Sequence, residues 1–599
     1  MLGAYKSVFR KCGTAAVAFL LTAGAFGFYG MEFSHRAIVY FVVSYAVFGL
    51  LERGQTIRNR SVLTASAVYA LFLTLSFAVG HQVSQETMPY FPDLTYLDWA
   101  YLIPYGGFLF VCVLNLMDWI LSKEVVFRAP QGTPTRKIWG KWFLVLLLLW
   151  LPYFLIFYPA NLSLDSFECV QQAIGDVPYG NNHPAAFVAM IAGCMKLGML
   201  VGDINFGIAC YSAFQMLLFA AILSHILYWL VKKGAPNWAV WLCGAYYGLN
   251  PMIGTYAMTI WKDVLFGAFL LLMATWLYDV AQSRGENLGK PGELAKFALI
   301  AVAVSLLRNG MAPVACGLSI VLLLCYPKKA RYFLPVSLAV LCVIFIILEP
   351  VYSTLNIPKA NAAESYGVAL QQIGYTLHCG GVIDPESRAF LDQILPTQIW
   401  QEVYSPWGSD SVKFHGAFDH VFFNANTGTF LEVWLKLLPA NLTYYTKAWL
   451  MNTIGYYHIG TIETAYWYGI IPVERASELG IFRTDLLQAV TGTRIVARAV
   501  EAFLFYAKKI PVFCTVYSIA ANVWVFVLGL VIRRLRKNQV REYLWGMLPL
   551  MALWLVIMAT TPVSCEFRYL FAIHLAMPVV LVFLFQSDEE AGKMQGSLH

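Results

Sequence analysis

Apolar runs of about twenty residues recur along this chain, divided by short polar stretches that carry clusters of lysine and arginine. A run of that length matches the hydrocarbon thickness of a bilayer, where a helix satisfies its own backbone hydrogen bonds. The pattern predicts an all-α polytopic membrane protein. Composition agrees, because 59% of the 599 residues are hydrophobic, 13% are charged and mean hydropathy is +0.62. A soluble fold built from these residues would expose too much apolar surface.

The runs begin near residues 13, 36, 61, 99, 142, 207, 236, 257, 295, 311, 332, 512, 543 and 569, a bundle of about fourteen transmembrane helices. Five basic blocks orient it: Arg53/Arg58/Arg60, Arg136/Lys137/Lys141, Lys232/Lys233, Lys328/Lys329/Arg331 and Arg533/Arg534/Arg536/Lys537. Such blocks stay cytoplasmic. Fourteen spans place all five on that side, with both termini cytoplasmic. The threading requires the run 185–200, interrupted by Lys196, to lie along the outer interface, where a lysine can snorkel. Lys6, Arg10 and Lys11 precede a first run without a small-residue cleavage site, so that run reads as a retained span. The formal charge of +7 is taken up by these blocks and points to membrane lipids, not nucleic acid. The twelve cysteines show no CxxC pair or metal-ligand spacing.

Residues 1–135 read as a four-span extension, and 136–350 as the core with a first outer loop at 161–206. Residues 351–510 form a mostly helical extracytoplasmic loop domain, and 511–599 hold three spans and a cytoplasmic tail. The second half of the loop domain is aromatic (Trp434, Tyr444, Tyr445, Trp449, Tyr456, Tyr457, Tyr466, Trp467), the profile of helices resting on the interface.

The most unusual charges gather on one side of this threading. Asp165 and Glu168 lie in Asn161-Leu-Ser-Leu-Asp-Ser-Phe-Glu168, just past the run 142–160, and His183 follows in Asn181-Asn-His-Pro184. Lys262 and Asp263 open a span, Arg308 and Asn309 stand at a turn between two spans, and Glu566 and Arg568 precede the last one. Ionisable groups at membrane boundaries are costly and usually mark function. The i, i+3 spacing of Asp165 and Glu168 is also that of helix-capping acids, with Leu164, Phe167, Val170 and Ile174 as an apolar stripe. No span shows a comparable group at mid-depth, and no internal repeat is evident, so a lipid-linked glycan flippase gains less support than surface chemistry.

The pieces Leu164-Asp-Ser-Phe-Glu168, Tyr179-Gly-Asn-Asn-His-Pro184, Trp261-Lys-Asp-Val-Leu-Phe266, Arg308-Asn-Gly310, Glu364-Ser-Tyr…Gln371-Gln372 and Cys565-Glu-Phe-Arg-Tyr569 resemble the GT-C superfamily of polyprenyl-phosphate-sugar-dependent membrane glycosyltransferases. Within that superfamily the chain is most similar to an uncharacterised bacterial branch. The likeness spans roughly residues 140–585. It departs from many members in spacing its first-loop acids as Asp-x-x-Glu, where they have adjacent acids. The resemblance implies a GT-C-like bundle whose site faces the extracytoplasmic side. The reaction it implies is inverting transfer of a sugar from a polyprenyl-phosphate donor to a cell-envelope glycan or lipid acceptor. On this reading Asp165 is the base, with Glu168 and His183 orienting hydroxyls, and Lys262, Arg308 and Arg568 take the phosphate. Asp263, Asn309, Glu364, Gln371 and Glu566 would support them. A divalent cation such as magnesium or manganese is compatible with these ligands but not fixed by them. Oligosaccharide polymerisation or ligation from a lipid-linked donor would use the same chemistry.

Overall fold

The computed structural model describes residues 2–31, 33–84, 94–128, 135–462, 468–507, 510 and 517–588. It is helical throughout, apart from one two-stranded parallel ribbon, β1 (Val125–Phe127) beside β2 (Gln586–Asp588). The N-terminal quarter comprises α1 (Leu2–Phe28), α2 (Phe33–Gly54), α3 (Arg60–Ser84), α4 (Tyr96–Ser122) and α5 (Lys137–Ile156). Next come α6 (Leu164–Ile174), α7 (Ala185–Met199), α8 (Ile204–Lys232), α9 (Asn237–Leu249), α10 (Pro251–Met258) and α11 (Lys262–Gln282). The core continues with α12 (Pro291–Leu307), α13 (Ala312–Cys325) and α14 (Ala330–Ile346). A set of short helices follows, among them α15 (Gly367–His378) and α16 (Leu442–Asn452), and the chain closes with α17 (Ile519–Arg536), α18 (Val540–Thr560) and α19 (Phe571–Leu584).

Ten helices among the described residues are long and apolar enough to cross a membrane: α1–α5, α8, α11, α14, α18 and α19, of which α14 and α19 count with their flanking turns. This is a multi-pass membrane protein. The other four expected spans differ for local reasons. The run from 236 breaks at Asn250-Pro251 into α9 and α10, because proline cannot donate to the preceding turn and Asn250 caps the new helix through the amide of Met252. α12 and α13 have 17 and 14 residues, and α17 carries Arg533, Arg534 and Arg536 in its last turn. The expected start near 512, the aromatics Tyr466 and Trp467, and the tail from 589 lie outside the described residues.

Four cores hold the described residues together, the smallest joining Val83 to Tyr375, Ala448, Met451 and Ile454. The largest joins α5 to α14 with α18 and α19; a second packs α1, α3 and α4 against Leu528, Ile532 and Leu584; a third fills the region 363–445. Tyr445 and Tyr456 are fully buried, and the Trp449 indole donates to the carbonyl of Met558, 2.8 Å away. These aromatics therefore fill cores instead of resting on an interface. α7 forms an antiparallel hairpin with the start of α8: Phe187 meets Tyr211, and a Cβ on Gly198 would lie 2.8 Å from the Gly207 backbone. Lys196 stays exposed. α8 is about 44 Å long at 1.5 Å per residue, longer than a hydrocarbon core, and α7 lies against its N-terminal part.

The bundle has two chemically distinct poles. At one, Lys233 pairs with Asp279 at 2.5 Å, Lys329 with Glu286 at 2.7 Å and Arg53 with Asp118 at 3.2 Å. Arg536 donates to the carbonyl of Ile120 at 2.7 Å, and the amide of Arg128 to that of Gly234 at 3.1 Å. Seventeen residues of α11, about 25 Å, separate Asp279 from Lys262 at the opposite pole.

Candidate functional site

The opposite pole is assembled from segments far apart in the chain. After α5, residues 158–162 run as a short extended stretch. The amide of Asn161 donates to the carbonyl of Met258, the amide of Ile260 returns the bond, and the amide of Leu162 donates to Gly469. This places the start of α6 against the turn between α10 and α11. Gln215 of α8 fixes the same turn, donating to the carbonyls of Tyr256, Ala257 and Thr259 at 3.2, 3.3 and 2.8 Å.

Ser163, not an acid, caps α6: its hydroxyl accepts from the amide of Ser166 at 3.3 Å and from the Trp261 indole at 2.6 Å. Asp165 and Glu168 are thereby released from capping. The expected stripe is also rotated, since Leu164 is 64% exposed while Phe167, Cys169, Val170 and Ala173 are buried.

Asp165 instead meets Arg568 at 2.5 Å. The same guanidinium lies 3.1 Å from Glu566 and stacks over the rings of Trp261 and Tyr569. Burial pushes the Asp165 carboxyl upward, but Arg568, with His183 and Lys262, outweighs it and holds the group at about 2. Glu566 goes the other way, because burial raises it more than Arg568 lowers it. Two carboxylates on one arginine thus have opposed proton affinities. Glu168 is held below its ordinary value by a hydrogen bond with His183, 3.3 Å away, while Gln172 donates to its other oxygen.

Arg308 reaches Asp263 at 2.5 Å between the rings of Phe266 and Tyr569. Asp263 is 1% exposed and its second oxygen has no hydrogen-bond partner, so freeing Arg308 would strand a buried charge. Arg308 is therefore locked in place, not free to meet a ligand. Lys262, by contrast, makes no hydrogen bond or ion pair among the described residues.

Asn309 straps the first loop, donating to the carbonyls of Asn181 and Asn182 at 2.5 and 3.4 Å. Asn182 in turn accepts from the amide of Asn361, which joins the loop domain to this pole. Glu364 and Gln371 do not enter the cluster. Glu364 pairs with buried Lys413 at 2.6 Å, and Gln371 donates to the carbonyl of Ser405 at 2.9 Å. Ser163, Trp261 and Tyr569 act at the site without having been assigned a role from sequence; Trp261 and Tyr569 stood inside recognisable pieces beside charged residues.

Among the described residues no group of three or more His, Cys, Asp or Glu side chains is arranged to hold a metal ion. Asp165, Asp263 and Glu566 already face guanidinium groups, so the donor set does not fit a divalent cation without displacing Arg568 or Arg308.

Below this cluster lies a polar group absent from the sequence reading. His574 is 1% exposed inside α19, with the Tyr246 hydroxyl at 3.0 Å and the Asn250 amide at 3.0 Å. It sits six residues, about 9 Å, down the chain from Arg568.

Fold and site together define a multi-pass membrane protein with a buried charge network at one pole. The chain belongs to a family of unknown function, DUF6020, whose pattern it matches over residues 174–597. That match includes His183, Lys262, Arg308 and Arg568, and starts after Asp165 and Glu168. No curated protein and no solved structure matches the chain.

Proposed function

We propose that this protein is a membrane glycosyltransferase of GT-C type. It transfers a sugar, with inversion, from a polyprenyl-phosphate-linked donor to an extracytoplasmic glycan or lipid acceptor. Supporting this reading is the sharing of Arg568 between Asp165 and Glu566, with the unpaired Lys262 alongside. The acceptor oxygen attacks the anomeric carbon, the bond from that carbon to the phosphate oxygen breaks, and the acceptor proton passes to a carboxylate. Lys262 and Arg568 meet the charge left on the phosphate.

Held at about 2, Asp165 is a weak base while Arg568 faces it. A donor phosphate that draws the guanidinium toward itself raises Asp165 into a useful range; Glu566 is the competing base. The reading gives fourteen passes, counting α9 with α10 as one and including α12, α13 and α17. It also puts both termini with the basic pole in the cytoplasm and the site outside.

The test is transfer from a panel of polyprenyl-phosphate sugars in vesicles holding the purified protein. Asp165→Asn should lower the rate by ~10²–10⁴-fold, the range for a general base. Lys262→Met should weaken use of the donor. Full transfer by both variants sinks the site assignment.

A second reading, translocation of a lipid-linked glycan, draws on the break at Asn250 and on His574 at mid-depth, since transporters place broken helices and polar groups there. A fluorescent polyprenyl-phosphate lipid that changes leaflet in protein-containing vesicles, with no transfer product, would favour it.

A further inference from the structure

Away from the charged network, α3 and α17 enclose a groove with a cavity volume of about 1630 Å³, closed at its back by α18 and at one end by α16 and Tyr457. Ordinary small-molecule sites occupy about 300–1,000 Å³. It follows α3 from Arg60 to Val79, about 29 Å at 1.5 Å per residue, which is the thickness of a hydrocarbon core.

Its walls suit an alkyl chain. Each tryptophan lining it spends its N–H on a backbone carbonyl: Trp524 on Tyr457 at 2.8 Å, Trp449 on Met558 at 2.8 Å and Trp554 on Tyr456 at 3.0 Å. Tyr69 and Ser76 likewise donate to the carbonyls of Trp524 and Tyr457, both at 2.8 Å. These polar groups are satisfied, so the lining presents ring faces and the aliphatic side chains of Val68, Leu75 and Val527. A polar ligand would find few partners along its length.

One end is different. Arg60 begins α3, Arg534 lies in the last turn of α17 and Lys537 follows it, and all three line the groove there. Their side chains are exposed and make no ion pair or hydrogen bond among the described residues. Other exposed cations at this pole, Arg58, Lys137 and Lys328 among them, also lack such partners among the described residues, but Arg60, Arg534 and Lys537 are the ones that line the groove. Three uncompensated cations at the mouth of a satisfied apolar channel complement one kind of molecule: an anionic headgroup with hydrocarbon attached. Basic pockets between transmembrane helices take anionic lipid headgroups in this way.

We propose that the groove holds an anionic phospholipid, its phosphate at Arg60, Arg534 and Lys537 and its acyl chains running toward Trp449 and Tyr457. The lipid ties the four-helix extension to the core along a seam whose direct polar contacts include Tyr69 to Trp524 and Ser76 to Tyr457. This inference is independent of the glycosyltransferase reading, because the charged end of the groove lies at the other pole.

The full-length protein, purified in mild detergent, tests it by native mass spectrometry and by thermal unfolding in nanodiscs. The wild type should retain one anionic phospholipid through delipidation. Its unfolding temperature should rise in phosphatidylglycerol relative to phosphatidylcholine. Arg60→Gln/Arg534→Gln/Lys537→Gln should weaken retention by roughly 10- to 100-fold and abolish that difference. Val68→Trp/Val527→Trp, which fills the groove and leaves the charges, should also release the lipid. Equal retention of both lipids, retention by the triple variant, or the same stabilisation by inorganic phosphate without lipid would each overturn the proposal.

Discussion

The two poles use the same residue types to opposite effect. At the basic pole, ion pairs such as Arg53–Asp118 join one cation to one acid, with side chains 47% and 36% exposed. At the other pole, Arg568 serves Asp165 and Glu566 together, and Arg308 is pressed between two rings onto an aspartate that is 1% exposed. The Arg53–Asp118 pair is screened by water and salt and can open alone, whereas Lys233–Asp279 at the same pole is more sheltered, at 15% and 24% exposed. In the second arrangement, water cannot replace a lost partner, so the charges depend on one another.

The sharpest way to break this contrast is Arg308→Met. It strands Asp263 and should cost about 3–5 kcal/mol of stability, whereas Arg53→Met should cost about 0–1 kcal/mol. Arg308→Met/Asp263→Leu should recover most of the loss. Denaturant unfolding of the purified variants measures all three, and equal costs for the two single variants would erase the distinction.

Next in size is Ser163→Ala, which removes the cap of α6 and the acceptor of the Trp261 indole. A cap alone contributes about 0.5–2 kcal/mol, so a loss within that range is expected in the same experiment. If Asp165→Ala proved the more damaging to helix stability, Asp165 would be the cap after all.

The paired carboxylates sharpen the comparison by pH. Asp165 has a folded value of about 2 against an ordinary one near ~3.9, so its contribution is present above about pH 4 and lost as pH falls toward 2. Being half-open, it should contribute modestly. Glu566 is raised, so its ionised form subtracts stability as pH rises past the ordinary glutamate range. Thermal unfolding across this range should show Asp165→Asn with a shallower loss in acid. Glu566→Gln should be more stable than the wild type at neutral pH and equal to it in acid. Parallel profiles for both variants would contradict the opposed environments.

What the sequence revealed follows from how local each signal is. The apolar runs and basic blocks are contiguous, so the long spans and the gathering of Lys233, Lys329 and Arg536 at one pole could be read directly. The convergence of Asp165, Lys262 and Arg568 could be read as well, since each is a charge at a run's edge. Partnership could not. Nothing in Asp-x-x-Glu tells that Ser163 takes the cap, or that Arg308 is consumed by its neighbour's Asp263 while Lys262 is left alone. Glu364 and Gln371 bind Lys413 and Ser405 within the same loop domain, where no periodicity marks contact. His574 escaped notice because a single histidine barely disturbs an apolar run, and the break at Asn250-Pro251 was legible but overridden by the hydrophobicity on both sides.

Lys262 occupies the first position of α11, where unpaired backbone N–H groups already lend the helix end partial positive charge. An ammonium there is repelled by its own helix. The fold keeps an electrostatic mismatch of about 0.3–1 kcal/mol that an arriving anion would relieve, drawing on the amides and the lysine at once. Lys262→Met should therefore unfold at a slightly higher temperature than the wild type while binding anions less well. On the glycosyltransferase reading, this helix end sets the stability of the empty protein against its readiness for the donor phosphate.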